Sequence, residues 1–287
     1  MMNVLCTGNK NKPKINTIVN NLCSLFQNTD HKLYIDKKIE NVVKGKSFDY
    51  LNLYKPSKHI DFVVSIGGDG SILSAVRRMG DSQLPIVGIH IGNLGFLNKL
   101  NKNDFIKVFK DILLSNKLKY ENKILLKASF INNKNVNDTI LALNEIYIKQ
   151  GEISRLLTLD VDINNKYLNT YRCDGLIIST PLGSTAYSLS AGGPIVSYDV
   201  DCNIINPVSP HTLSSRPIVI NCNNEITIKC PDKSSNIMIF SDGQDSRFIK
   251  KNTKILIKNS DISAKFLKLK NDTSYYEKLR SNLGWHN

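Results

Sequence analysis

The 287-residue chain is 41% hydrophobic and 22% charged, a balance that suits a folded globular protein with a substantial core and excludes a disordered or fibrous one. No apolar run reaches the ~20 residues of a membrane span, and the apolar patch near the N-terminus is too short for a signal-peptide core, which predicts a cytoplasmic protein. The formal charge of +13 comes from lysines dispersed among Asn and Ile, without a dense basic run, and reads as a compositional bias suited to polyanionic substrates rather than a nucleic-acid surface.

Residues 4–7 read as an opening strand, and residues 15–26 have helical apolar spacing. Apolar runs follow at 32–35, 62–66 and 86–89, with a helical pattern at 72–79 between the last two. Unbroken apolar strands alternating with helices predict an α/β, Rossmann-like domain on a mostly parallel sheet, assigned to residues 1–110. Beyond residue 120 the pattern becomes short and alternating, at 124–130, 145–149, 156–163, 217–220, 225–229, 236–241, 254–257 and 264–269. Asn, Gly, Asp and Pro punctuate these runs, which predicts a C-terminal all-β sandwich over residues 111–270. Residues 271–287 read as a helix ending at Gly284, with Tyr275, Leu279 and Leu283 on one face, packing back on the first domain. The six cysteines form no CxxC pair and read as packing residues, not as a metal site or disulfide framework.

The sharpest motif joins the strand at 62–66 to the helix after it: Gly67-Gly68-Asp69-Gly70-Ser71. Glycines admit a phosphate close to the backbone, and amides at a helix start bind anions, with Ser71 expected to cap. No GK[ST] follows, so this is not a Walker loop. Asp69 is the unusual member, because a carboxylate repels phosphate. It is either a general base or magnesium ligand, or an ordinary turn residue in a Gly-Asp-Gly sequence. NAD kinases, diacylglycerol and sphingosine kinases, and phosphofructokinases share a GGDG loop, so the loop alone does not name a substrate.

Asn144-Glu145 opens an alternating strand, where neighbours face opposite sides. The segment from Tyr171 to Ile195 is an apolar strand followed by hydroxyl residues, glycines and Tyr187, a composition suited to wrapping a polar planar ligand. It lacks the G-x-S-x-G of a hydrolase elbow.

Gly67-Gly68-Asp69-Gly70, Gly88-Ile89-His90-Ile91-Gly92-Asn93-Leu94-Gly95-Phe96-Leu97, Asn144-Glu145, the Asp174–Ile195 block, Asp242-Gly243-Gln244 and Leu283-Gly284-Trp285 occur in that order. Together they resemble the proteobacterial-type NAD kinases over nearly the whole chain. The resemblance implies transfer of the γ-phosphoryl of ATP, with Mg2+, to the 2′-hydroxyl of the adenosine ribose of NAD+, in a site in the cleft between two domains. It implies Asp69 as general base and Asn144 and Glu145 at ribose hydroxyls. Thr185, Ala186 and Ser190 would line the adenine pocket, with Tyr187 against a ring and Ser188 and Leu189 beside it. Asp174 would hold the nicotinamide carboxamide, while Arg155, Arg172 and Gln244 match positions near the dinucleotide. It also implies a homodimer or homotetramer in which a neighbouring subunit completes the pocket, and no nucleic-acid or membrane partner. Three places depart from the family pattern: Leu182 in the Thr-Pro-x-Gly turn, His90-Ile91, and Asn98-Lys99 where Thr-Asp is common. Two rival readings remain: a lipid or sugar-phosphate kinase using the same loop, and a dinucleotide-sensing regulator without turnover.

Overall fold

The computed structural model describes residues 1–285 except 28, 43–47, 55, 57–58, 93–94, 116, 133–134, 152–155, 232–236, 250–251 and 271. The chain forms two compact units, residues 1–122 with 264–287, and residues 123–263. They part at Asn122/Lys123 and Ser263/Ala264 rather than at 110/111 and 270/271.

The first unit contains β1 (Asn3–Gly8), α1 (Ile15–Phe26), β2 (Lys32–Asp36), β3 (Tyr50–Leu51), β4 (Phe62–Gly67), α2 (Asp69–Met79), β5 (Ile86–His90), β6 (Leu100–Asn101), α3 (Phe105–Ser115) and β7 (Tyr120–Lys123). Strands β1 to β5 pair in parallel in the order β3-β2-β1-β4-β5, as buried apolar runs separated by helices should. In α1 the buried residues Ile15, Ile18, Val19, Leu22, Cys23 and Phe26 keep the predicted spacing. They share a core with Val4, Cys6, Phe62, Val64 and Phe109, each such side chain contributing ~1.5–3 kcal/mol when fully buried.

The second unit contains β8 (Leu126–Asn132), β9 (Asn135–Ala142), β10 (Glu145–Gln150), β11 (Leu157–Ile163), β12 (Lys166–Cys173), β13 (Gly175–Ser179), α4 (Tyr187–Ser190), β14 (Cys202–Val208), β15 (Ile218–Asn221), β16 (Ile226–Lys229), β17 (Ile237–Ser241), β18 (Asp245–Ile249) and β19 (Lys254–Asn259). Two six-stranded sheets result, β15-β14-β13-β10-β17-β18 and β12-β11-β16-β19-β8-β9. Leu126, Ala128, Ile146, Ile148, Leu159, Leu176, Ile239 and Ile257 fill one core fed by both sheets, the arrangement of a β-sandwich.

The run at 264–269 departs from expectation. It forms β20 (Ala264–Leu267), which leaves the sandwich and pairs in parallel with β5, Phe266 opposite Ile86. Alternation marks a half-buried strand but not the sheet it joins. Helix α5 (Tyr275–Leu283) then closes the chain with a capping box between Ser274 and Glu277 and a left-handed Gly284 at its end. Five of the six cysteines are buried, and all six are unbridged. No described helix is long and apolar enough to cross a membrane.

Candidate functional site

Strand β4 is buried along its length and delivers the glycine loop to the carboxyl end of a parallel sheet, where such folds bind ligands. Gly67 has φ of +148°, and a methyl group there would overlap the Ser71 hydroxyl. Helix α2 begins at Asp69, two residues before the predicted cap. Ser71 is therefore not the cap: extended Gly68 takes that position, and Ser71 N–H donates to the Gly68 carbonyl at 2.9 Å. Asp69 thus stands in the first helical turn, where the helix dipole favours a negative charge.

A second segment of the same unit holds the Asp69 carboxylate. Oδ2 accepts from Phe96 N–H at 2.8 Å, while Oδ1 accepts from Leu97 N–H at 3.2 Å, Asn98 N–H at 3.2 Å and Asn98 Nδ2 at 2.7 Å. Oδ1 has three donors and is saturated; Oδ2 has one and keeps a lone-pair direction for another. Gly95 lies against the same carboxylate, and an added methyl would overlap its carbon and both oxygens. The departure to Asn98-Lys99 is accommodated. Asn98 donates to Asp69, and the Lys99 ammonium meets Asp272 at 2.7 Å, Glu121 at 3.2 Å and the Leu267 carbonyl at 2.9 Å.

The second unit contributes a separate group. Asn144 and Glu145 lead into β10, which runs between β13 and β17. The carboxylate of Asp242, a residue at φ +50°, accepts from Leu143 N–H at 3.1 Å, Asn144 N–H at 2.8 Å and Glu145 N–H at 3.2 Å. Gly183 packs so closely on Asn144 that a methyl would overlap the Asn144 carbonyl. Burial, reinforced by the charge of Asp242, pushes the Glu145 carboxyl up to about 8, against a hydrogen bond from the Tyr187 backbone. Glu145 is therefore largely protonated at neutral pH. Two buried oxygens, Asn144 Oδ1 and Glu145 Oε2, have no hydrogen-bond partner among the described residues. Such atoms are rare in native proteins and suit a ligand that brings hydroxyl groups.

Tyr187 is 40% exposed and meets Tyr147 edge to face, ring centroids 5.0 Å apart. Tyr147 covers Gly175, where a methyl would overlap its ring. Burial, a hydrogen bond with Tyr187 and the charge of Asp174 push its hydroxyl up. Thr185 and Ala186 are half-buried in the turn before α4, Leu189 is half-buried within it, and Ser190 is exposed at its end. Ser188 is fully buried and accepts from Asn206 Nδ2 at 3.3 Å, so its side chain serves the turn. Gln244 is exposed in the turn after Asp242, and Arg172 is exposed on β12 in the other sheet. Arg155 lies outside the described residues. Sequence reasoning missed the two sets of backbone donors and the role of Asp242. Only the Asp242-Gly243 turn pair signalled a constrained position.

A parallel sheet ending in a glycine loop with an acidic residue, followed by an antiparallel two-sheet unit with an Asn-Glu pair, is the architecture of a two-unit protein built to hold a phosphate-bearing ligand. Comparisons with known proteins make this specific. The family model for the ATP-NAD kinase N-terminal domain matches residues 4–116, and that for the ATP-NAD kinase C-terminal domain matches residues 143–269. The NAD kinase of Buchnera aphidicola is 33% identical over 283 residues, covering 98% of this chain and 96% of its own. That of Teredinibacter turnerae is 35% identical over 260 residues, 90% of this chain and 88% of its own. Yeast NADH kinase complexed with NADH has the same fold, with a TM-score of 0.88 at 24% identity, over 100% of this chain and 89% of that one. An Archaeoglobus fulgidus NAD kinase in complex with ATP gives 0.71 at 24% identity, over 99% and 98%. The chain belongs to the NAD kinase family and is an enzyme of that class.

Proposed function

We propose that this chain transfers the γ-phosphoryl group of ATP to the 2′-hydroxyl of the adenosine ribose of NAD+, giving NADP+ and ADP, with Asp69 as general base. A secondary hydroxyl is a weak nucleophile at neutral pH, so the step needs in-line placement and a base within hydrogen-bond reach. The hydroxyl proton passes to Asp69 Oδ2 as its oxygen attacks the γ-phosphorus, and the bond to the β-phosphate oxygen breaks to release ADP. The observation that carries this reading is the Asp69 carboxylate, fixed through a saturated Oδ1 and left with an accepting position on Oδ2.

The Gly67–Ser71 backbone binds phosphate at the helix start. Asn144 and Glu145 hold ribose hydroxyls, supported by their unpartnered oxygens. Thr185, Ala186 and Ser190 line the adenine pocket, Tyr187 packs on a ring with Leu189 beside it, and Asp174 binds the carboxamide. Arg172 and Gln244 act near the dinucleotide. Mg2+ would arrive on the triphosphate, where the Asp69 carboxylate is the negatively charged group of the Gly67–Ser71 loop that would face it. An ion held with the triphosphate would supply neutralisation of the phosphate charge. The working form is a cytoplasmic homodimer or homotetramer, to be checked by light scattering.

The deciding experiment incubates purified protein with NAD+, Mg2+ and ATP and measures NADP+ by a coupled assay. NADP+ formation supports the reading. Tight NAD+ binding without NADP+, or transfer only to a lipid or sugar phosphate, rejects it.

A further inference from the structure

The cradle of Asp69 is itself anchored from the C-terminal helix. Lys278 on α5 donates from Nζ to the Phe96 carbonyl at 2.8 Å. That carbonyl belongs to the peptide unit whose N–H, on Leu97, donates to Asp69 Oδ1. One planar peptide therefore has a cation at its oxygen and the carboxylate at its hydrogen, and its dipole points the favourable way for both. Lys99, two residues beyond Leu97, ties the exit of the same segment to Asp272, Glu121 and the Leu267 carbonyl. The segment 95–99 is thus held at both ends by lysines, and Gly95 leaves no slack against the carboxylate.

We propose that Lys278 is a positioning residue for Asp69: its ammonium group fixes the Phe96–Leu97 peptide that orients the carboxylate for proton transfer. This rests on the reading of Asp69 as general base. Lys278 does not touch the reacting atoms, so its removal lowers turnover with little effect on substrate binding. Burial, then the like charge of Lys99, lowers the Lys278 ammonium below the usual lysine range, against the charges of Asp272, Asp69 and Glu121. Raising pH therefore removes this charge earlier than it would from an exposed lysine.

The test is a double-mutant cycle of Lys278→Met and Asp69→Asn, with Lys278→Arg as the charge-retaining variant. Lys278→Met is expected to lower kcat about tenfold with KM for NAD+ and ATP within about twofold, since small misplacements of reacting groups are costly. Lys278→Arg should restore most of the loss. In the Asp69→Asn background Lys278→Met should have no further effect. Unchanged kcat in Lys278→Met, or an equal loss in both backgrounds, overturns the proposal. An Asp69→Asn enzyme that stays fully active instead rejects the base assignment, a separate result. If Lys278→Met does not fold, the pH profile decides: the alkaline limb of kcat should move to higher pH in Lys278→Arg, and an unmoved limb overturns the proposal.

Discussion

Asp69 and Asp242 are each held by three consecutive backbone N–H groups from a distant part of the chain, and they use that arrangement to opposite ends. Asp69 is half-buried, saturated on Oδ1 and accommodating on Oδ2, so its backbone cradle presents a carboxylate. Asp242 is 7% exposed, and its carboxylate sets the backbone of Leu143, Asn144 and Glu145. In the first case the backbone positions the acid. In the second the acid positions the backbone, and what is presented is the adjacent Asn-Glu pair. The same kind of bond thus fixes a carboxylate in one unit and a stretch of backbone in the other.

Asp69→Asn should break the comparison most strongly. It keeps the shape, removes the base, and turns an amide group toward the Phe96 N–H. Steady-state kinetics should show kcat reduced ~10²–10⁴-fold with dinucleotide affinity largely retained. Turnover within tenfold of wild type would refute the base. Asp242→Ala should act on stability and binding instead. Three N–H groups lose a charged acceptor and alanine inherits a positive φ, so urea unfolding should report a loss of roughly 3–5 kcal/mol. KM for NAD+ should rise more than kcat falls.

A paired substitution sharpens the contrast further. Gly95→Ala pushes a methyl into the Asp69 carboxylate, and Gly183→Ala pushes one into the Asn144 carbonyl. The first should lower kcat about 10–100-fold, and the second should raise KM for NAD+ by about tenfold. Equal effects of both on kcat would erase the distinction.

The last comparison concerns pH. Glu145 sits at about 8 in the fold against an ordinary value of 4.5. The native state therefore binds the extra proton, and its stabilising contribution is complete below pH 4.5 and lost as pH rises through about 8. Between these values wild type should lose stability relative to Glu145→Gln with a slope of up to about 1.4 kcal/mol per pH unit. Urea midpoints from pH 5 to pH 8 measure it, and parallel profiles for the two proteins would contradict the buried neutral carboxyl.

Locally encoded features were legible in the sequence. The amphipathic α1 has its predicted bounds, and the buried strands β1, β2, β4 and β5 appear where apolar runs occur. Strand β14 was not recognised, because Asn203 and Asn206 interrupt its apolar pattern. Both are fully buried, Asn206 donating to the Ser188 carbonyl and Asn203 to Asn259. Strand β9 is mostly polar and exposed for its first five residues, so it lacked alternation. The residue types of the candidate site stand out in Gly67–Ser71 and Asn144-Glu145, but the groups that hold them do not. The donors to Asp69 lie 27–29 residues away and those to Asp242 lie 97–99 away, and backbone donors leave no residue-type signature.

A crystal structure of the enzyme with NAD+ and a non-hydrolysable ATP analogue with Mg2+ tests the account most directly. The distance from Asp69 Oδ2 to the adenosine ribose 2′-oxygen should be about 2.6–3.2 Å, with Oδ1 still held by Leu97 and Asn98. A 2′-oxygen beyond reach of Oδ2, or bonded to a different base, would contradict it.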